Sequence, residues 1–158
     1  CERQSDIRID LESEQATQSL AVALSRIAEA GDVIALKGDL GAGKTVFARA
    51  FIRALCGPET EVPSPTFTLV QSYDRPDAET LFHFDLYRLE TPEEALELDI
   101  DDAFSEGICL IEWPERLGPL LPRGHLEVAL RYGKREQQRL CLITGAGAWA
   151  ERLAGISP

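Results

Sequence analysis

One run of eight residues limits what this chain can fold into more than any other feature. Gly38-Asp39-Leu40-Gly41-Ala42-Gly43-Lys44-Thr45 is a complete G-x-x-x-x-G-K-T phosphate loop. Such a loop binds phosphate only when a buried strand enters it and a helix leaves it. Both are present. Val33-Ile34-Ala35-Leu36 is an apolar run of strand length, and Thr45 to Leu55 spaces Phe47, Ala50, Phe51 and Ala54 along one helical face. Glycines at 38, 41 and 43 let several backbone N–H groups turn toward one centre, and the helix start adds its own free N–H groups and partial positive charge. Lys44 then reaches the β- and γ-phosphates of a nucleotide, and the Thr45 hydroxyl is placed to ligate Mg²⁺. The bland alternative is a glycine-rich turn that matches by chance, and the strand and helix on either side argue against it.

Composition sets the bounds around that loop. The chain has 158 residues, 44% hydrophobic and 27% charged, which suits one domain over 1–158 with a real core. No apolar run approaches the ~20 residues of a membrane span, and no charged-then-apolar leader pattern opens the sequence. There is no methionine, so Cys1 reads as a processed or trimmed start. A mature lipoprotein also begins with cysteine, but here the segment leads straight toward an intracellular nucleotide motif, which argues against lipidation. Cysteines 1, 56, 109 and 141 are far apart with no C-x-x-C pair. A zinc site is not expected, and Cys109 and Cys141, in apolar runs, read as core residues of a reducing compartment. The expected location is the cytoplasm. With 16 basic against 27 acidic residues the net charge is −11. That charge repels phosphate backbones, so DNA is excluded as a partner and tRNA is reached only indirectly, while a basic protein surface is favoured.

Along the chain, Ile7, Ile9 and Leu11 alternate with polar residues as a short strand does. Ser13 caps a helix whose stripe is Ala16, Leu20, Ala23, Leu24 and Ile27, closed by Gly31. After the phosphate loop and its helix, Pro63 and Pro65 stiffen a loop, and the run to Val70 reads as a strand. A turn at Asp74–Glu79 leads to the strand Leu81–Asp85. Thr91-Pro92-Glu93-Glu94 reads as a capping box that starts a helix of about two turns. Ile108–Ile111 is another buried strand, Leu126–Tyr132 and Arg139–Thr144 form a hairpin, and a short helix lies near Trp149–Leu153. The expected fold class is α/β, a phosphate-loop NTPase-like mixed sheet flanked by helices.

Hydrolysis or transfer needs an acid near Mg²⁺ at the C-terminal end of a buried strand. Asp85 and Glu112 occupy such positions, although either could be only a solvated strand end. Asp39 reads as loop architecture. His83, between Phe82 and Phe84, reads as a packed, hydrogen-bonded strand histidine in preference to a catalytic one. Arg88 reads as an exposed arginine by default, with phosphate or a partner as the alternative, and Tyr87 lies close by. Trp113 is either core or a cover for the site. Ser64 and Thr66 either sense the γ-phosphate, as a switch segment does, or only stiffen the loop.

These motifs together resemble one family. G-D-L-G-A-G-K-T at 38–45, S-P-T-F at 64–67, H-F-D-L-Y-R at 83–88 and I-E-W-P-E at 111–115 are similar in order and spacing to TsaE, the small bacterial ATPase of tRNA threonylcarbamoyladenosine synthesis. Glu-Gln-Ala-Thr at 14–17 resembles the family's N-terminal segment. The resemblance implies ATP and Mg²⁺ as cofactors, with Lys44, Asp85 and Glu112 as the catalytic set. It implies Mg²⁺ ligation through Thr45, Asp85 and Glu112. It also implies nucleotide contacts from Thr17, the loop residues Asp39, Leu40, Gly41, Ala42, Gly43, Lys44 and Thr45, and Trp113. The partner implied is a TsaB–TsaD pair, whose modification of the adenosine beside the anticodon the ATPase would support without transferring the threonylcarbamoyl group itself. The C-terminal third carries no signature.

Three rivals bear weighing. A small GTPase reads guanine with an N-K-x-D segment, and this chain has no asparagine. A small-molecule kinase wants an arginine-lined acceptor pocket and a lid, whereas the arginines here are scattered. A nucleotide switch without useful hydrolysis is separated from an ATPase by measuring phosphate release.

Overall fold

The computed structural model describes residues 4–39, 41–63, 69–75, 78–146 and 148–153. Among these, seven strands join one sheet: β1 (Gln4–Leu11), β2 (Val33–Gly38), β3 (Val70–Arg75), β4 (Ala78–Asp85), β5 (Ile108–Glu112), β6 (Leu126–Tyr132) and β7 (Arg139–Ala146). Helices α1 (Glu14–Ile27), α2 (Lys44–Cys56), α3 (Ile100–Glu106) and α4 (Ala148–Leu153) flank it, with 3₁₀ helices at Pro92–Leu98 and Pro114–Leu120. The strand order is β1-β7-β6-β2-β5-β4-β3. The β6–β2, β2–β5 and β5–β4 pairs are parallel, and the β1–β7, β7–β6 and β4–β3 pairs are antiparallel. This is the mixed α/β sheet expected from the loop and its neighbours.

Alternation along the central strands divides two cores. Ile34, Leu36, Leu81, Ile108 and Leu110 face Leu20, Leu24, Phe47, Phe51 and Trp149 from α1, α2 and α4. Val33, Phe84, Cys109 and Ile111 face Ile100 and Ala103 of α3 and Leu117 on the opposite side. Cys109 and Cys141 are fully buried, and burial pushes both thiols up to about 12, as suits inert core residues. Arg152 of α4 lies 4.0 Å from the Trp149 ring centroid and bonds both Asp32 oxygens at 2.6 and 2.9 Å, which pins α4 beside the end of α1.

The helical faces differ in detail from the expected stripes. In α1 the fully buried set is Thr17, Leu20, Ala21, Leu24 and Ser25, and Ala16, Ala23 and Ile27 are only half-buried. In α2, Ala48 and Ile52 join Phe47 and Phe51 in the core, whereas Ala54 is exposed and Ala50 half-buried. The sheet surface, which periodicity does not reveal, selects which residues of an apolar stripe are covered. Thr91 precedes a 3₁₀ helix and makes no side-chain cap, so the expected capping box is absent. Glu94 accepts from the Glu90 N–H at 3.3 Å instead, one residue earlier than the box requires. Asp99, in the left-handed region at φ 57°, ends that helix and starts α3, a helix not anticipated from the sequence. The β3–β4 turn is tighter than expected, because Asp74, Ala78 and Glu79 belong to the strands.

Candidate nucleotide site

Where the central strands of a sheet run parallel, as β6, β2, β5 and β4 do here, loops at their carboxyl ends form the binding crevice. β2 enters the phosphate loop there, and register places both candidate acids beside it: Glu112 pairs with Leu36 on one side and with Asp85 on the other. Asp85 and Glu112 are 6% and 5% exposed, so neither is a solvated strand end. The Tyr87 N–H donates to Asp85 Oδ1 at 3.1 Å, and the Asp85 N–H donates to the Leu69 carbonyl at 2.9 Å. Leu69 directly follows residues 64–68. The possible switch residues Ser64 and Thr66, and Leu40 of the phosphate loop, lie outside the described residues.

The loop itself needs its glycines for space. Gly38 has φ 150°, and a Cβ there would lie 2.6 Å from the Leu130 carbonyl oxygen on β6. A Cβ at Gly41 (φ 82°) would lie 2.8 Å from the Tyr132 hydroxyl. Gly43, at φ 111°, caps α2 with no side-chain oxygen, so the first N–H groups of the helix face the loop without a side-chain partner. Gly38→Ala is therefore expected to destabilise the fold by about 2 kcal/mol, through separation of β2 from β6. Chemical denaturation checks this, and wild-type stability would show that β6 yields without penalty.

Lys44 is the unusual member of the site. The residue is 5% exposed, and its Nζ is buried and makes no hydrogen bond. Nζ sits 3.7 Å from the centroid of the Trp113 ring, a cation–π contact, and Tyr87 packs on the other partner of that contact with ring centroids 5.1 Å apart. Burial holds the Lys44 pKa below its ordinary value, against the opposing pull of Glu112, Glu115, Asp85 and Asp39. A buried ammonium without hydrogen bonds is costly, and an incoming anion relieves that cost. Trp113 holds a left-handed backbone, φ 60°, at the turn from β5 into the 3₁₀ helix. That turn explains how a residue beside buried Glu112 comes to cover Lys44.

On the other side of the loop a cleft of about 150 Å³ is lined by Glu14, Thr17, Gly41, Gly43, Val46, Gln137 and Arg139. Thr17 is buried there, 2% exposed. Gln137 and Arg139 belong to the β6–β7 hairpin, whose role no sequence motif indicated. Arg139 donates to the Gly41 carbonyl at 3.4 Å, and its guanidinium carbon lies 4.9 Å from the Tyr132 ring centroid. Asp39 is exposed and its carbonyl accepts from the Ala42 N–H at 3.0 Å, while Ala42 is fully buried. A larger groove of about 460 Å³, between α1 and α2, includes none of Lys44, Asp85 or Glu112.

The donors fit a nucleotide with a hard cation. The glycine cradle and the unpartnered Lys44 suit phosphate. Among the described residues no three His, Cys, Asp or Glu side chains are grouped to hold a metal. A cation here would need the exposed Thr45 hydroxyl, a carboxylate and phosphate oxygens together, which is the ordinary arrangement for Mg²⁺.

Comparison with known proteins gives the lineage. The sequence profile of the family described as threonylcarbamoyl adenosine biosynthesis protein TsaE matches residues 11–141. The chain belongs to the TsaE family. It is 43% identical over 134 residues to the tRNA threonylcarbamoyladenosine biosynthesis protein TsaE of Rickettsia bellii, covering 85% of this chain and 92% of that protein. It is 35% identical over 125 residues to the TsaE of Bacillus subtilis, covering 78% and 77%. The crystal structure of Bacillus subtilis YdiB superposes with a TM-score of 0.75 at 29% identity, over 98% of this chain and 93% of that one. Family membership thus rests on the whole sheet and not on the phosphate loop alone.

Proposed function

We propose that this chain is a Mg²⁺-dependent ATPase, slow by itself, that supports threonylcarbamoyl modification of tRNA adenosine through a TsaB–TsaD-type protein pair in the cytoplasm. The observation that carries the nucleotide part is Lys44: a buried ammonium without a hydrogen bond, beside a glycine cradle and two buried carboxylates. The pathway and partners rest on family membership, since the relatives are named for tRNA threonylcarbamoyladenosine biosynthesis. No described helix is long and apolar enough to cross a membrane.

In this reading Lys44 leaves Trp113 to bond the β- and γ-phosphates, and the α2 amides take the remaining oxygens. Thr45, Asp85 and Glu112 are the residues that would hold Mg²⁺, and the ion would supply positive charge to offset the negative charge of the phosphates. The cleft lined by Thr17, Val46 and Arg139 is where the nucleoside would be held. Trp113 and Tyr87 shield the reacting end from bulk water.

Titration with ATP and GTP tests the reading. Two charge-assisted hydrogen bonds are together worth about 3 kcal/mol, so Lys44→Ala is expected to weaken ATP binding by about 100-fold. ATP should bind more tightly than GTP. Departure of Lys44 from Trp113 should also change tryptophan emission, and Trp113→Phe, which leaves Trp149 as the sole indole, should abolish that change. Equal affinity in Lys44→Ala, or preference for GTP, contradicts the proposal.

A further inference from the structure

We propose that His83 is a positioning residue that sets the Glu112 carboxylate beside the phosphate loop. The inference rests on the Mg²⁺–nucleotide reading for what Glu112 does, and adds a residue that neither the family description nor the relatives' names assign.

The geometry comes from strand register. His83 pairs with Leu110 and Asp85 with Glu112, so His83 and Asp85 lie two residues apart on one face of β4, and Glu112 sits diagonally across from His83 on β5. Diagonal positions are within reach of long side chains. His83 Nε2 lies 2.7 Å from Glu112 Oε2, with the two side chains 2% and 7% exposed. An ionised carboxylate only accepts, which assigns the donor hydrogen to Nε2.

Packing alone does not explain an imidazole at this position. Its same-face neighbours, Leu81, Ile108 and Leu110, are fully buried apolar residues. His83 Nδ1 is buried and makes no hydrogen bond. A leucine would fill this position without leaving a polar atom unpartnered, so the one hydrogen bond that His83 does make is the feature that distinguishes it. That bond occupies Oε2 and restricts the rotamers of a three-torsion side chain. It leaves Oε1 as the oxygen not engaged by His83, on the sheet face that α2 and Lys44 cover. Partners of this kind, which orient a ligating group without touching the metal, are typically worth 10–100-fold in affinity or rate.

The test combines ring spectroscopy with metal binding. The chain has two histidines, so His125 serves as an internal reference for ¹⁵N NMR of the nucleotide-free protein. His83 is expected to be protonated at Nε2, with a signal that moves in Glu112→Gln while that of His125 stays. An unprotonated Nε2 in the wild type overturns the proposal without requiring any His83 variant to fold. Mg²⁺ affinity is then measured by calorimetry on the ADP complex. His83→Leu should weaken it about 10-fold. His83→Gln, which restores an N–H donor, should remain within about 3-fold of wild type on the same scale. Nucleotide affinity in EDTA should be unchanged in both. In the Glu112→Gln background, His83→Leu should add nothing. If Glu112→Gln weakens Mg²⁺ binding and His83→Leu does not, the positioning role alone is overturned. If Glu112→Gln leaves Mg²⁺ binding intact, the metal reading of Glu112 fails and the role of His83 falls with it.

Discussion

Glu112→Gln and Asp85→Asn are each expected to lower ATP turnover by about 10²–10³-fold, the loss associated with a group that stabilises transition-state charge. Both should leave the melting temperature near or above that of wild type. The two substitutions separate charge from structure. Gln at 112 retains an oxygen that accepts from His83, and Asn at 85 retains one that accepts from the Tyr87 N–H. Core volume is unchanged. What disappears is one of two buried carboxylates held at paired positions on strands about 4.8 Å apart. Without a cation between them such charges repel, so the amide variants relieve the free protein while they disable the loaded one. Turnover measured over a Mg²⁺ titration, beside thermal melts of the nucleotide-free variants, checks both halves. A large fall in melting temperature with turnover intact would make these carboxylates structural.

What could be read from sequence here was what depends on neighbours along the chain. The phosphate loop declares itself because strand, glycines and helix are consecutive, and Asp85 and Glu112 stand out because each ends an apolar strand. Other features needed the register and order of the strands. His83 and Glu112 meet only because β4 and β5 are adjacent, parallel and in register at Leu110. Arg139 and Gln137 reach the loop because β6 lies between β2 and β7, a strand order that no local pattern announces. Trp113 covers Lys44 because of its left-handed turn after β5, a backbone feature that the sequence around it does not distinguish from a core position. Thr91-Pro92-Glu93-Glu94 suggested the start of a two-turn helix, but the chain forms a 3₁₀ helix over Pro92–Leu98 and then the seven-residue α3, too short for periodicity to reveal.

Turnover by the isolated protein is expected to be slow, and a protein partner to raise it by as much as 10³–10⁵-fold, the worth of a cation supplied in trans to a phosphoryl-transfer site. Arg49, Arg53, Arg75 and Arg152 each donate to a backbone carbonyl and are occupied in holding the fold, while Arg139 donates to the Gly41 carbonyl at the cleft assigned to the nucleoside. Tyr87, 49% exposed and packed on Trp113, and Tyr132, 53% exposed beside Gly41, rim the site with the residue type enriched at protein interfaces. Residues 90–107 carry eight acidic side chains and no basic ones, a large share of the net charge of −11. That charge is expected to steer the chain toward a basic protein surface and away from bare tRNA, with salt weakening the attraction.

Phosphate release is therefore measured for the protein alone, with tRNA alone and with a TsaB–TsaD-type pair, each at low and moderate salt. The account predicts a low basal rate that tRNA leaves unchanged. The protein pair should stimulate it strongly, less so at moderate salt, and not at all in Glu112→Gln. Strong stimulation by bare tRNA with none from the proteins would contradict it.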